Sequence, residues 1–275
     1  MNALKLDKQL AVIGGLVEGN SIRSVSRMTG VHKTTIASLL VWAGAKCQHL
    51  MDTSFRDLGC RTIEADEIWC FVAKKQGRIS PQERYKNSEV GDQYIFVAID
   101  ADSKLVPCYT IGKRNQLTTE QFLFELRKRV AGRFQLTTDA YIPYKEAVRW
   151  VFGSNIDFAQ LQKKYAADRA GEHRYSPPKI TAVFHEVIVG NPDVERISTS
   201  YVERQNLTMR MQMRRLTRLT NAFSKKLSNL RAAVALHFAY YNFCRIHGTL
   251  RTTPAIAAGV TDHLWSMEDL LQFNC

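Results

Sequence analysis

The sequence predicts an α/β fold, a mixed sheet flanked by helices, with a small all-α unit in front of it. Three observations predict this. Apolar residues up to Trp42 recur at helical spacing, whereas from Thr62 the pattern turns extended. The extended part then reads strand, strand, strand, helix, strand, helix, the order of a sheet covered by helices. Finally, Tyr201 to Thr220 contains neither Pro nor Gly and is rich in Leu, Met, Arg and Gln, all good helix formers. A length of 275 residues suggests about two domains at ~150 residues each. We expect a helical unit over residues 1–46, a linker over 47–60, the α/β domain over 61–248 and a helical tail over 249–275.

From about Lys8 to Ala45 the chain reads as three short helices. Leu10, Ile13, Leu16 and Val17 mark the first, which ends near Gly19. Ser21 can cap the second, Ile22 to Met28, and Gly30 closes it. His32 to Trp42 is the third. With Val25, Val31, Ile36 and Leu39 or Leu40 as core and Gly30 in the turn, the layout is that of a helix-turn-helix. His32, Lys33, Thr34, Thr35 and Ser38 would then face a DNA major groove. Any small helical bundle with a glycine turn gives the same pattern, and the polar, basic start of the third helix favours DNA.

Thr62 to Val72 has strand composition yet carries Glu64, Asp66 and Glu67, residue types depleted in strands. Acids inside a buried-looking strand are expected at a site. Tyr94 to Asp100 and Leu105 to Ile111 form a hairpin around a turn in which Asp100 and Asp102 are turn residues. Thr118-Thr-Glu-Gln fits a capping box that opens a helix stopping at Gly132. Phe134 to Asp139 is a fourth strand with an acid at its C-terminal end. Pro143 suits the first turn of a helix to Phe152, capped by Gly153. Two short strands follow, around Phe158 and around Val183 to Val189, with Pro177-Pro178 between them.

In the helix from Tyr201, Leu207 and Met211, with Met213 and Leu216 near them, suggest a buried stripe. Glu203, Asn206 and Arg210 are spaced i, i+3, i+7 and form one row. Glu203 is the only acid from Tyr201 to Arg251, a span holding ten Lys or Arg. A surface ion pair with Arg204 or Arg210 would explain it cheaply. A metal-binding acid beside a phosphate-binding surface would explain it specifically. A second long helix, about Ser224 to Arg245, has Leu227, Leu230, Val234 and Phe238 on its core face. Short helices open at Thr253-Pro254 and at Leu264.

A formal net charge of +12 favours a polyanionic partner, nucleic acid first. The six cysteines include no C-x-x-C pair, so neither a zinc cluster nor a disulfide framework is indicated. Without a signal-peptide core or an apolar run of ~18 residues, the chain reads as cytoplasmic and associated with the nucleoid.

The motifs Ile63-Glu-Ala-Asp-Glu-Ile-Trp, Thr137-Thr-Asp-Ala-Tyr, Ser198-Thr-Ser-Tyr-Val-Glu-Arg-Gln-Asn-Leu-Thr-Met-Arg and Arg218-Leu-Thr-Asn-Ala-Phe-Ser-Lys-Lys resemble those of bacterial insertion-sequence-one family DDE transposases. Tyr241-Asn-Phe-Cys-Arg-Ile-His and the following Thr253-Pro254 are similar to the tail of many integrase-core transposases. The resemblance covers roughly Arg61 to Leu250. It implies a ribonuclease-H-like fold, with Asp66, Asp139 and Glu203 as catalytic, metal-binding acids. Mg²⁺, or Mn²⁺ in its place, would be the cofactor, since hard oxygen ligands suit these ions. Double-stranded DNA, as element ends and target, would be the partner of a homodimer or larger homo-oligomer. His32, Lys33, Thr34, Thr35, Arg204, Asn206, Arg210 and Arg214 are the expected DNA contacts. Some family members carry a zinc finger before the helix-turn-helix; no such cysteine pattern occurs here. A helix-turn-helix regulator with a non-catalytic larger domain, or a structure-selective nuclease, stands as the alternative.

Overall fold

A computed structural model describes residues 4–166, 180–218 and 220–273 of the chain. Three helices come first: α1 (Leu6–Val17), α2 (Ile22–Thr29) and α3 (Lys33–Ser54). Ser21 caps α2, its hydroxyl accepting the Ser24 N–H, and Gly30 ends it in the left-handed conformation. Val12, Val25, Val31 and Ile36 form a small cluster of their own between these helices.

The 22-residue α3 runs well past Trp42, through the stretch expected to be a linker. Cys47, Leu50 and Met51 continue its apolar face at spacings of three and four, and all three are buried, as are Phe55, Leu58 and Cys60. They belong to the main core, which also takes in Ile13, Val17, Leu40 and Ala43. A connector should be polar and solvated; this one is a core helix.

The sheet has six strands in the order β3-β2-β1-β4-β5-β6. Strand β1 (Thr62–Val72) pairs antiparallel with β2 (Gly91–Asp100), and β2 pairs antiparallel with β3 (Cys108–Gly112). On its other edge β1 runs parallel to β4 (Gln135–Asp139), which runs parallel to β5 (Asp157–Tyr165). Strand β6 (Ile180–Val189) closes the edge antiparallel to β5. Between strands lie α4 (Pro81–Lys86), α5 (Gln116–Arg127) and α6 (Pro143–Phe152). After the sheet come α7 (Ser200–Gln212), α8 (Leu227–Ala239), α9 (Pro254–Ala257) and α10 (Met267–Gln272). The result is a mixed sheet flanked by helices, as the sequence predicts. The Pro177-Pro178 pair lies outside the described residues.

Helix α3 packs closely on α8: a Cβ on Gly44 would come within 2.6 Å of Ala232, so the absence of a side chain sets the distance. On α8, Leu227, Leu230, Val234 and Phe238 are buried, as their spacing predicts. Two local expectations need correction. The cap of α5 is Asn115, whose side chain accepts the Thr118 N–H, and not Thr118 itself. In α7 the buried residues are Val202, Gln205, Asn206 and Met209, whereas Leu207 and Met211 are exposed. The helix breaks at Met213, so Met213 and Leu216 reach the core from a following turn and do not extend its stripe. The polar Asn206 turns inward because a partner awaits it there.

Candidate active site

Strand register brings the first two acids together. Ala65 of β1 stands opposite Thr138 of β4 in the parallel pair, so the next positions are Asp66 and Asp139. Neighbouring strands lie ~4.8 Å apart. Strand β4 ends at Asp139 while β1 continues to Val72, which leaves the β1 edge open beyond Asp66. Here the parallel strands end at their carboxyl ends, between oppositely directed neighbours, where α/β sheets form their crevices.

Along β1, side chains alternate between faces. Glu64 and Asp66 point to the α7 face. Glu64 is buried and accepts the Tyr201 and Val202 N–H groups at 2.7 and 3.0 Å, which ties the start of α7 to the sheet. One turn further along α7, Asn206 donates from Nδ2 to Asp66 Oδ2 at 2.9 Å. Glu67 leaves on the opposite face yet reaches the same strand end. Single carboxylate oxygens of Asp66, Glu67 and Asp139 lie within 4.8 Å of one another. Arg114, just after β3, donates from Nε to Glu67 at 2.9 Å and stands 3.5 Å from Asp139, its guanidinium stacked over Tyr141.

Burial, with the Asp139 charge added, pushes the Asp66 carboxyl up to about 6 and Glu67 up to about 7. Glu203 also acts on Asp66 through its charge. Glu67 Oε1 is buried beside the Tyr144 hydroxyl, and neither has a hydrogen bond of normal length. Asn206 Oδ1 is likewise a buried acceptor without a donor. Oxygen-only donors with an unfilled acceptor in Asn206 Oδ1 fit a hard divalent cation. Asp66, Asp139 and Glu67 are the residues able to hold one.

Glu203, on the first turn of α7, is exposed at the rim of this pocket. Its carboxylate is engaged by Lys163 of β5 and by the Thr199 hydroxyl, the latter at 2.7 Å. The structure thus brings Asp66, Asp139 and Asn206 together and leaves Glu203 beside them on another partner. Arg210 is half-buried and near enough to Asp66 to feel its charge; burial and Arg218 hold its guanidinium below the usual range. Arg204 and Arg214 are exposed. His32, Lys33, Thr34 and Thr35 are exposed at the start of α3, apart from the acids, with His32 Nδ1 2.7 Å from the Thr34 hydroxyl. Glu67 and Arg114 are the members that sequence reasoning missed. Glu67 stood out as an acid in a strand, but only register shows that it reaches the pocket; Arg114 carries no local signal.

No family model and no curated protein matches the chain. Among solved structures it is similar to a piggyBac transposase synaptic complex with hairpin DNA, at 10% identity over 99% of this chain and 72% of that one, with a TM-score of 0.45. It is also similar to the Mos1 strand transfer complex, at 16% identity over 57% of this chain and 60% of that one, TM-score 0.26. A Mos1 mariner paired-end complex with Mn matches at 14% identity over 57% of this chain and 59% of that one, TM-score 0.23. The chain spans about 60% of the length of the Mos1 strand transfer chain. No helix among the described residues is long and apolar enough to cross a membrane.

Proposed function

We propose that this chain is a DNA transposase of the insertion-sequence-one type, which cleaves phosphodiester bonds at element ends and joins the 3′-hydroxyl to target DNA. The observation that carries this reading is the pairing of Asp66 with Asp139 across β1 and β4, in a pocket of oxygen donors on a strongly basic chain. Two carboxylates ~4 Å apart repel by about 4 kcal/mol at an effective dielectric of 20; Arg114 stands on the Asp139 side only, so the pair favours a further cation between them. Divalent ions bound there would activate the attacking oxygen and stabilise the leaving one.

The chain's own residues supply the rest. Asp66 and Asp139 bind and orient the cation. Asn206 fixes the Asp66 carboxylate by its 2.9 Å bond, and Glu64 fixes α7, so both stand still relative to the sheet. Glu203 completes the acid set when it leaves Lys163. Arg210, in the row of Glu203 and Asn206, suits a phosphate of the reacting strand because its fork bonds two oxygens. His32, Lys33, Thr34 and Thr35 are suited to reading base edges from the start of α3, while Arg204 and Arg214 bind backbone. A homo-oligomer would hold two ends together.

The test is a joining assay with pre-cleaved element ends and Mg²⁺. Wild type should yield strand-transfer product that EDTA abolishes. Asp66→Asn, Asp139→Asn and Glu203→Gln should each abolish joining and leave DNA binding nearly intact. A variant at Asp66 or Asp139 that joins at the wild-type rate would overturn the reading, and one at Glu203 would remove that residue from the set.

A further inference from the structure

The α1–α2 corner touches the end of α7. Gly19 closes α1 with φ +80°, and a Cβ there would meet the Gln212 and Met211 carbonyl oxygens at 3.1 and 3.2 Å. Beside this contact opens a cleft of about 870 Å³, between the N-terminal helices on one side and the turn after α7 on the other. Its floor is largely apolar and includes Leu40, Leu236 and Phe223. Its walls carry Arg23, Lys33, Arg214, Arg215 and Lys225, and no Asp or Glu lines it.

None of the five cations has an ion-pair partner among the described residues. Four of them could be ordinary solvated surface charges. Arg215 could not. It donates from Nη1 to the Ser224 hydroxyl at 2.9 Å, and burial holds its guanidinium down at about 10 with no carboxylate offsetting the cost. A half-buried cation lacking an anion is unfavourable, and its natural complement is an anionic ligand. His237, also lining the cleft, is 3% exposed with Nε2 unpartnered, and burial keeps it neutral at ordinary pH. A fork of nitrogens with no acid in the lining suits an oxyanion, and a phosphodiester is the one that the proposed function supplies.

We infer that this cleft is a phosphate site for a DNA strand, one backbone phosphate seating on Arg215 between Arg214 and Lys225 on one wall and Arg23 on the other. That the strand is DNA rests on the function proposed above. The site has a definite place relative to the acids. Met213, just past the end of α7, lies ten positions after Glu203, about 15 Å along the helix, or roughly four base steps at ~3.4 Å each. A strand gripped here is held by the N-terminal helices and the catalytic sheet at once, a few steps from the acid pair. Recognition and chemistry are then joined through the DNA as well as through α3.

The experiment is fluorescence anisotropy of the full chain on a mixed-sequence duplex, in EDTA, at several salt concentrations. Each lost phosphate contact should lower the slope of log affinity against log salt by about 0.9. Arg215→Gln should flatten it by about that much while keeping or raising the melting temperature, since an unpaired, half-buried charge is removed. Should Arg215→Gln fail to fold, Arg23→Gln with Lys225→Gln, on opposite walls, should flatten it by roughly two such steps. An unchanged slope in the folded variants overturns the inference. A second arm titrates inorganic phosphate. If phosphate raises the melting temperature of wild type but not of the Arg215 variant while the DNA slope stays the same, the cleft takes a small free anion and the DNA assignment fails. A wild-type chain that binds no duplex contradicts the proposed function itself, whereas a bound chain with unchanged variant slopes contradicts only the cleft.

Discussion

At the scale of single residues, the pocket contains acids held protonated beyond their normal range. Asp66 stands at about 6 and Glu67 at about 7, raised first by burial and then by the Asp139 charge. A carboxyl whose folded pKa exceeds its unfolded value binds the proton more tightly when folded, so its contribution is largest at acid pH and is lost as pH rises. Without metal, stability should therefore decline from about pH 4 to about pH 7. A cation that binds the ionised acids reverses this loss. The melting-temperature gain from Mn²⁺ should be clearly larger at about pH 8 than at about pH 5. Thermal scans with and without Mn²⁺ at both pH values check this, and equal gains would mean that the ion binds elsewhere. Asp66 and Asp139 were legible in the sequence because each belongs to a motif and each sits where a strand should not carry charge. Glu67 was visible only as an acid flanking Asp66 in the strand. Its access to the pocket comes from β4 stopping at Asp139, a register fact that no local pattern contains.

At the scale of elements, the strands and their order were readable from composition, and the helices less so at their ends. The α7 stripe went astray because Leu207 and Met211 have the right chemistry for a core, whereas the inward face belongs to Asn206 and Gln205. A hydrogen bond to a buried carboxylate outweighs the apolar pattern there. The cap of α5 moved back to Asn115 because the backbone already turns at that residue, so Thr118 offers its N–H and not its side chain. Glu64 supplies what α7 lacks: Thr199 makes no side-chain cap bond, and the Glu64 carboxylate takes two of the free N–H groups. Glu64→Ala leaves both without a partner, one buried and one half-buried, and should cost about 2–6 kcal/mol of stability at 1–3 kcal/mol per unsatisfied group. Urea titration of wild type and variant measures it; a loss below about 1 kcal/mol would show that water replaces Glu64.

At the scale of the whole molecule, the expected modular layout gives way to a shared core. The sequence read as a small helical unit, a connector and a larger domain. In the structure α3 runs through the connector and lies along α8, with Gly44 against Ala232 and with Cys47, Leu50 and Met51 in the same apolar cluster as the sheet. Cys47 to Phe55 misread as a connector because its apolar spacing is short and broken by Gln48, His49, Asp52 and Thr53, although Gln48 and Asp52 are held by Tyr109 and Arg129. A chain built this way should unfold in one cooperative transition. Coincident fluorescence and far-ultraviolet circular dichroism melts are expected, and a separate early transition of the N-terminal helices would contradict the shared core.

All three scales meet in the claim that Asp66 and Asp139 hold a divalent cation between β1 and β4. Calorimetric titration of the full chain with Mn²⁺ at about pH 8, above the raised Asp66 value, tests this without any DNA. The account predicts saturable binding in the wild type that weakens by roughly tenfold or more in Asp66→Asn and in Asp139→Asn, since replacing a ligand should cost at least as much as disturbing its supports. Wild-type Mn²⁺ affinity in either variant would contradict it.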